Sequence, residues 1–449
     1  MKTIKMTKVY ISEINEDIST AVNDILSKIE DSSGPILKES KKIYLKPNGI
    51  DSKKHSFTSP QVLKTIIEYF KEKGADVYVM ENSTQANMTR IVFALNGFKD
   101  VCEQTGAKII YLDEEDTKNF EFKGKPSIEE DPKGYNLKTF RLPLTVVKIM
   151  ENRDKITYIN IPKLKTHSMT VVTLGIKNQW GFPEHADRGK DHNYNLHSKL
   201  VDTYELIKPD LTLIDGTEGT IHGHYPPTAW EDKLVIPFKI LIGGRDTLAV
   251  DVVGARIFGF SIKDVPHLRI ANKRGLGEGD LSKIEVIGKD LADYKEKYPW
   301  DLRQKFPDDV KIIKGKKLLC REGCQNNPLA TLQVLAFDHV EKFKGGWFLV
   351  MGKGHDDDLV EQLKEEGYTK GLVAGYCAVD EVGQKLLKEF GKRKVFFSGA
   401  CNNLAETVKA ELKLSKMTVF DLVPSISTEE LMSLIDEANK NGSRALTPL

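Results

Sequence analysis

Two α/β domains are predicted by this sequence: a first one on a mainly parallel sheet, and a smaller Rossmann-like one at the C-terminal end. Three observations carry that expectation. β-rich runs alternate with amphipathic helical patterns along the chain. The alternation halts in the charged, Pro-punctuated run ADYKEKYPWDLRQKFPDD and restarts at Lys311, which sets a first domain over 1–300 and a second over 311–449. The 449 residues, 40% of them hydrophobic, are also enough for more than one core.

In order, TKVYISEI reads as a strand and Asp17 to Ile29 as a helix. KKIYLKPN is the next strand, and the following helix starts at Ser59-Pro60, where Ser suits the cap and Pro the first turn, and closes at Gly74. ADVYVMEN, a single helix from Thr89 to Gly106, and AKIIYLDEE continue the rhythm. Thr117 to Tyr135, with Gly124, Pro126, Pro132 and Gly134, reads as an exposed excursion. TFRLPLTVVKIM, KITYINIP, LTLIDG and VIPFKILIGG read as strands, with a polar, His-rich insertion near 163–225. In the second domain the expected strands are KKLLC, GWFLVMG, KGLVAGYC and KVFFSGAC, each followed by a helix; MTVFDLV and a final helix capped at Ser427 complete it.

With 66 Lys+Arg against 65 Asp+Glu, the net charge of +1 gives no basic excess, so no nucleic-acid partner is expected. The N-terminal run alternates polar and apolar residues, so a cytoplasmic protein with no membrane partner is expected.

Four of the five cysteines fall in the last third, an arrangement that in a reducing compartment points to metal before disulfides. Cys320, Cys377 and Cys401 each follow an expected strand, where the carboxyl ends of a parallel sheet form a ligand crevice, and Cys324 follows Cys320 by one turn. Thiolates suit an iron–sulfur cluster or zinc, and single ligands from separate strand ends favour a [4Fe-4S] cradle over paired zinc spacing. Packed or redox thiols without metal are the alternative, and packing alone is expected for Cys102.

Lys163, Lys165 and His167 alternate in PKLKTH, so an extended backbone aims them the same way; Lys177 and Asn178 follow. Such cations and amides at a strand exit suit an anion, against the alternative of a solvated, charged edge. His185, His192 and His197 with Glu184, Asp187 and Asp191 offer a conceivable metal site without metalloprotease spacing. IDGTEGTIHGHYPP adds Asp215, Glu218, His222 and His224 at another strand exit. GGRDTLAVDVVGA and GLGEG match no phosphate-loop pattern, and GKGHDDD is only a further candidate turn.

LKPN (Leu45 to Asn48), TSPQVL (Thr58 to Leu63), PKLKTH with TLGIKNQWG, LIDGTEG and RDTLAVDVVGA together resemble the domain-of-unknown-function 362 family, known from bacteria and archaea, especially anaerobes. The resemblance covers roughly residues 40–290. It implies the α/β fold, an association with iron–sulfur chemistry, and motif positions at Lys46, Asn48, Lys163, Lys165, His167, Lys177, Asn178, Asp215, Asp246 and Asp251. Many members carry a ferredoxin-like CxxCxxC module, which this chain lacks; its C-terminal part is similar to an extension seen in some of them.

The expected function is that of an iron–sulfur enzyme acting on an anionic small molecule by lyase, dehydratase or redox chemistry, with an external electron donor for the last. Lys165, His167, Lys177, Asp215 and His222 are the candidate catalytic groups. Lys46, Asn48, Lys163 and Asn178 are the candidate substrate contacts, and Cys320, Cys324, Cys377 and Cys401 the cluster ligands. A metal-cofactor carrier and a zinc-stabilised metabolite-binding module are the rival readings.

Overall fold

The computed structural model describes residues 6–15, 17–84, 86–123, 138–191, 195–422 and 426–446, so most of the expected excursion and His192 lie outside the described residues. In chain order the strands are β1 Thr7–Glu13, β2 Lys42–Pro47, β3 Asp76–Glu81, β4 Lys108–Tyr111, β5 Thr117–Glu121, β6 Thr139–Pro143, β7 Thr157–Ile161, β8 Lys163–His167, β9 Val171–Thr173, β10 Leu211–Thr220, β11 Val235–Ile236, β12 Ile240–Gly244, β13 Ile284–Gly288, β14 Val310–Lys314, β15 Trp347–Met351, β16 Gly371–Ala374 and β17 Val395–Ser398.

The large sheet runs β13-β1-β12-β10-β7-β2-β3-β4, with β8, β9 and β11 attached through β10. Its half from β10 to β4 is parallel, whereas β12 runs antiparallel to both β10 and β1. Central strands such as β7 are buried at every position, as a sheet covered on both faces requires. Two apolar clusters cover it: Ile25, Leu63, Ile66 and Phe70 belong to one, and Leu174, Leu200, Val250 and Val253 to the other.

The second sheet, β14-β15-β16-β17, is wholly parallel. Its cores are its own: Leu329, Leu332, Ala410 and Leu414 in one, Leu359, Leu363, Val382 and Leu386 in the other. The molecule is therefore mixed α/β, with a large mainly parallel sheet and a smaller parallel one.

Several local expectations are corrected; VIPFKILIGG, for one, forms two strands, β11 and β12. The helix from Thr89 is two, Thr89–Leu95 and Phe98–Thr105, because Asn96-Gly97 intervenes with Gly97 at φ +82°. TFRLPLTVVKIM is half helix: β6 ends at Pro143, and Leu144–Glu151 turns its β-branched residues inward as a helix. KKLLC is not a strand. The parallel pairing of β14 with β15 ends at Lys314 opposite Met351, and the following segment makes only an antiparallel bridge between Leu318 and Lys353. MTVFDLV contains the short helix Val419–Leu422, where Asp421 accepts from the Thr418 N–H and hydroxyl and curls the backbone.

The final helix, Thr428–Lys440, begins where Ser427 accepts from the Glu430 N–H, as expected, but it packs on the first lobe. Its stripe Leu431, Ile435 and Ala438 meets Met88 and Ile91, and Arg90 ties it through Glu437 at 2.7 Å.

Candidate functional site

The carboxyl ends of β2, β3 and β8 open on a cavity of about 570 Å³. The first lobe lines it with Lys46, Asn48, Glu81, Lys177, Asn178 and Arg188, the second with Asn327, Val334 and Leu404, and the final helix with Leu431 and Ile435. This is where an open parallel sheet places ligands.

Its floor is a buried polar network. Lys46 and Glu81 pair at 2.7 Å with side chains 1% and 2% exposed, and the other Glu81 oxygen accepts from the Gly49 N–H at 2.8 Å. Burial lowers the Lys46 pKa, while Glu81 pulls it back. Asn48 donates to the Asn178 amide oxygen at 2.7 Å, and Asn178 donates to Asn160 at 2.8 Å. Lys165 donates to the Asn48 oxygen at 2.9 Å and also to the Ser56 carbonyl. Burial, then Lys177 and Lys163, push its ammonium well below the usual lysine range.

The alternation in β8 is real, but its three residues do different work. Lys163 turns to Asp215 at 3.2 Å and Thr217 at 3.0 Å. Asp215 also accepts from the backbone N–H of Ser59 at 2.7 Å and of Thr217 at 2.9 Å. Lys163, Lys165 and Asp215 thus brace strand exits behind the cavity, and none of them lines it. His167 does line it, stacked on His224 with centroids 4.0 Å apart and planes within 5°. His222 lies elsewhere, its ring Nδ1 2.8 Å from the Asp301 carbonyl in the inter-lobe connection.

Lys177 sits on the short helix Gly175–Asn178, whose first N–H groups are accepted by the Asp251 carboxylate at 2.6 and 2.8 Å. Asp246 caps the helix Thr247–Ile257. Both aspartates of RDTLAVDVVGA are therefore positioning groups. Burial, reinforced by Arg188 and Lys46, brings the Lys177 pKa from 10.5 to about 7.

Glu81 and Arg188 did not emerge from the sequence reading. Glu81 ends a strand that reads only as core, and Arg188 lies in a segment whose acids and histidines form the more recognisable pattern. Arg188 gives its Nη2 to the Ser83 carbonyl at 2.5 Å, while its buried Nε has no partner among the described residues. The conceivable metal site of histidines and acids is not assembled by the described residues. His185 lies 3.0 Å from the Ser83 carbonyl, His197 faces His267, and Glu184 and Asp187 pair with Arg141.

In the second lobe, Cys320 and Cys324 flank the turn before the helix Asn326–Asp338, Cys377 lies in the turn Tyr376–Ala378 after β16, and Cys401 lies beyond β17. They are electrostatic neighbours. Burial, followed by Cys401, Cys320 and Cys377, pushes the Cys324 thiol well up, and burial with Cys377 raises Cys320. Gly375, at φ +81°, faces this group, and a Cβ there would stand 2.4 Å from the Cys324 sulfur. The donor chemistry thus fits a soft metal or cluster, although no three Cys, His, Asp or Glu side chains among the described residues are already arranged as a metal site. Cys102 is a buried core thiol whose pKa is raised to about 12 by burial, as expected.

Residues 43–256 match the family model described as Domain of unknown function (DUF362). That segment is similar to the members of this family. The family segment carries every first-lobe cavity residue named above except those on the final helix, and none of the four clustered cysteines. A relative described as thylakoid-associated, from Synechocystis sp. (strain ATCC 27184 / PCC 6803 / Kazusa), is 25% identical over 253 residues, 54% of this chain and 71% of the relative. Among the described residues no helix is long and apolar enough to cross a membrane.

Proposed function

We propose that this protein takes an anionic small molecule into the cavity between its lobes, beside a [4Fe-4S] cluster held by Cys320, Cys324, Cys377 and Cys401. The observation that carries the reading is the pair Lys177 and Arg188, two cations at one cavity wall that no carboxylate among the described residues neutralises within ion-pair distance. Of the other cavity lysines, Lys46 is matched by Glu81 and Lys53 by Asp338, each at 2.7 Å, and Lys54 is exposed to solvent. An anion recovers the cost of burying such charges.

The cluster reading is supported by the mutual proximity of the thiols and by their closeness to the cavity. Asn327, a lining residue, donates to the carbonyl of Asn402 next to Cys401, and Asn326 donates to the carbonyl of Ser168 next to His167. A bound cluster would supply one-electron exchange with all four cysteines bound, or Lewis acidity where three of them bind and the fourth iron is open. The chain's own groups do the rest: Arg188 and Lys177 hold the anion, the His167–His224 pair holds or moves a proton, and the apolar wall Val334, Leu404, Leu431 and Ile435 excludes water. A cytoplasmic lyase, dehydratase or redox enzyme with an external donor is the activity class proposed.

The test is a protein purified without oxygen, with iron, sulfide and zinc quantified, beside a Cys377→Ala variant. Four irons and four sulfides per chain with a brown thiolate-to-iron absorbance, lost in the variant, are expected; zinc alone or no metal overturns the cluster. Titration calorimetry with phosphate and with pyruvate tests the anion pocket, where Arg188→Gln is expected to weaken binding of the preferred ion about tenfold or more.

A further inference from the structure

Lys177 differs from every other lysine of the cavity. Lys46 is held by Glu81, Lys53 donates to Asp338 at 2.7 Å and Thr228 at 2.8 Å, and Lys54 is exposed to solvent. Lys177 is only 6% exposed, yet its amine makes no hydrogen bond or ion pair among the described residues. Its backbone, by contrast, is fixed at both ends: Asp251 takes the N–H groups of Gly175 and Ile176, and Asn178 is tied to Asn48 and Asn160. A rigid base thus presents to the cavity a primary amine unengaged among the described residues.

An amine that only neutralised an anion would work best fully charged. Here burial, Arg188 and Lys46 hold it at a pKa of about 7, so a substantial fraction is unprotonated at neutral pH. A lysine in water has well under 1% in that form, and desolvation beside a second cation is the standard route to a nucleophilic one. In the same wall Arg188 offers its Nε, which has no partner among the described residues and is a donor suited to a carboxylate.

We infer that Lys177 is a nucleophile that condenses with the carbonyl of a small 2-oxo carboxylate whose carboxylate group lies against Arg188. The inference rests on the anion-pocket reading and does not need the cluster. In the step, the Lys177 lone pair adds to the carbonyl carbon, a C–N bond forms, and the carbonyl electron pair moves to oxygen, which takes a proton. One N–H proton is lost to give the carbinolamine, a second proton on that oxygen lets it leave as water while the nitrogen lone pair forms the C=N bond, and loss of the remaining N–H proton leaves a neutral imine, so that no net proton is consumed. His167 and His224, in the same cavity, are placed to carry these protons. The imine draws electrons from the neighbouring carbon, which suits bond making or breaking there.

The experiment incubates the full chain with pyruvate and sodium cyanoborohydride, which reduces the imine to a stable carboxyethyl-lysine, and maps the adduct by peptide mass spectrometry. Modification of Lys177 at least tenfold faster than of exposed Lys342 is expected, with a rate that climbs with pH and levels off above about 7. Lys177→Arg should abolish that fast adduct and leave slow surface modification unchanged. Lys177 labelling no faster than Lys342 in the unaltered chain overturns the inference, whatever the folding of the variant. Calorimetry without reductant separates the two readings: phosphate or pyruvate binding without the fast adduct sinks the imine alone, whereas no binding of either and no adduct sinks the anion pocket with it.

Discussion

Lys46 and Glu81 show what a buried ion pair does for a site. Neither side chain is more than 2% exposed, so removing one leaves an uncompensated charge, at a cost of about 3–5 kcal/mol. Lys46→Met alone should lower the denaturation midpoint of the first lobe strongly, and Lys46→Met with Glu81→Gln should recover part of the loss; equal losses would place the pair's role elsewhere. Lys177 gives a second prediction at this scale. Its folded pKa of about 7 lies below the usual lysine value of 10.5, so the unfolded chain binds the proton more tightly between them. Stability from this group is full above about pH 10.5 and is lost as pH falls to about 7. Lys177→Met should flatten the rise of stability with pH across that window, measured by denaturant unfolding; an unchanged slope would contradict the buried, unengaged amine. For a simple anion such as phosphate, affinity should fall by up to tenfold per pH unit above about 7, because binding then has to take up a proton.

At the scale of elements, short irregular segments set the chemistry. The turn between β16 and the cysteine-bearing helical turn depends on Gly375, whose φ of +81° and 2.4 Å approach to the Cys324 sulfur exclude a side chain. Gly375→Ala should displace Cys324 and reduce iron content at least several-fold while the far-ultraviolet spectrum is kept; full iron loading in that variant would show that the thiols do not share a site. The final helix is held by a narrow apolar stripe and by Arg90. Leu431→Asp should undock it, raising amide exchange over 428–440 at least tenfold and opening one wall of the cavity.

For the whole molecule, the cavity exists because two lobes meet. Asp338, at the end of the helix Asn326–Asp338, accepts from Lys53 at 2.7 Å and from the Thr228 N–H at 2.6 Å, so one carboxylate joins the second lobe to two loops of the first. Trp230 and Phe337 pack beside it with centroids 4.4 Å apart and planes tilted by 40°. Asp338→Ala should leave each lobe folded but loosen their packing, seen as a larger radius of gyration in solution scattering and a weaker anion affinity; unchanged values for both would assign the lobe contact to apolar packing alone.

The alternation of strands and helices, the restart near Lys311 and the capping at Ser427 were legible in the sequence, which also pointed to the PKLKTH and GIKN segments, because periodicity, turn chemistry and caps are local. It also offered Lys46, Asn48, Lys177 and Asn178 among its family-motif positions, and the structure gathers these four at one cavity. What it left undecided was which cations face a ligand and which face a partner. Lys163, Lys165 and His167 share one strand and one spacing, yet Asp215 claims the first, Asn48 and Ser56 the second, and only the third reaches the cavity. Glu81 and Arg188 were hidden for the same reason: their meaning lies in contacts across the sheet or to a distant loop. The final helix, too, was legible as a helix but not in its placement, since an apolar stripe specifies that something covers it and leaves the identity of that surface to tertiary packing.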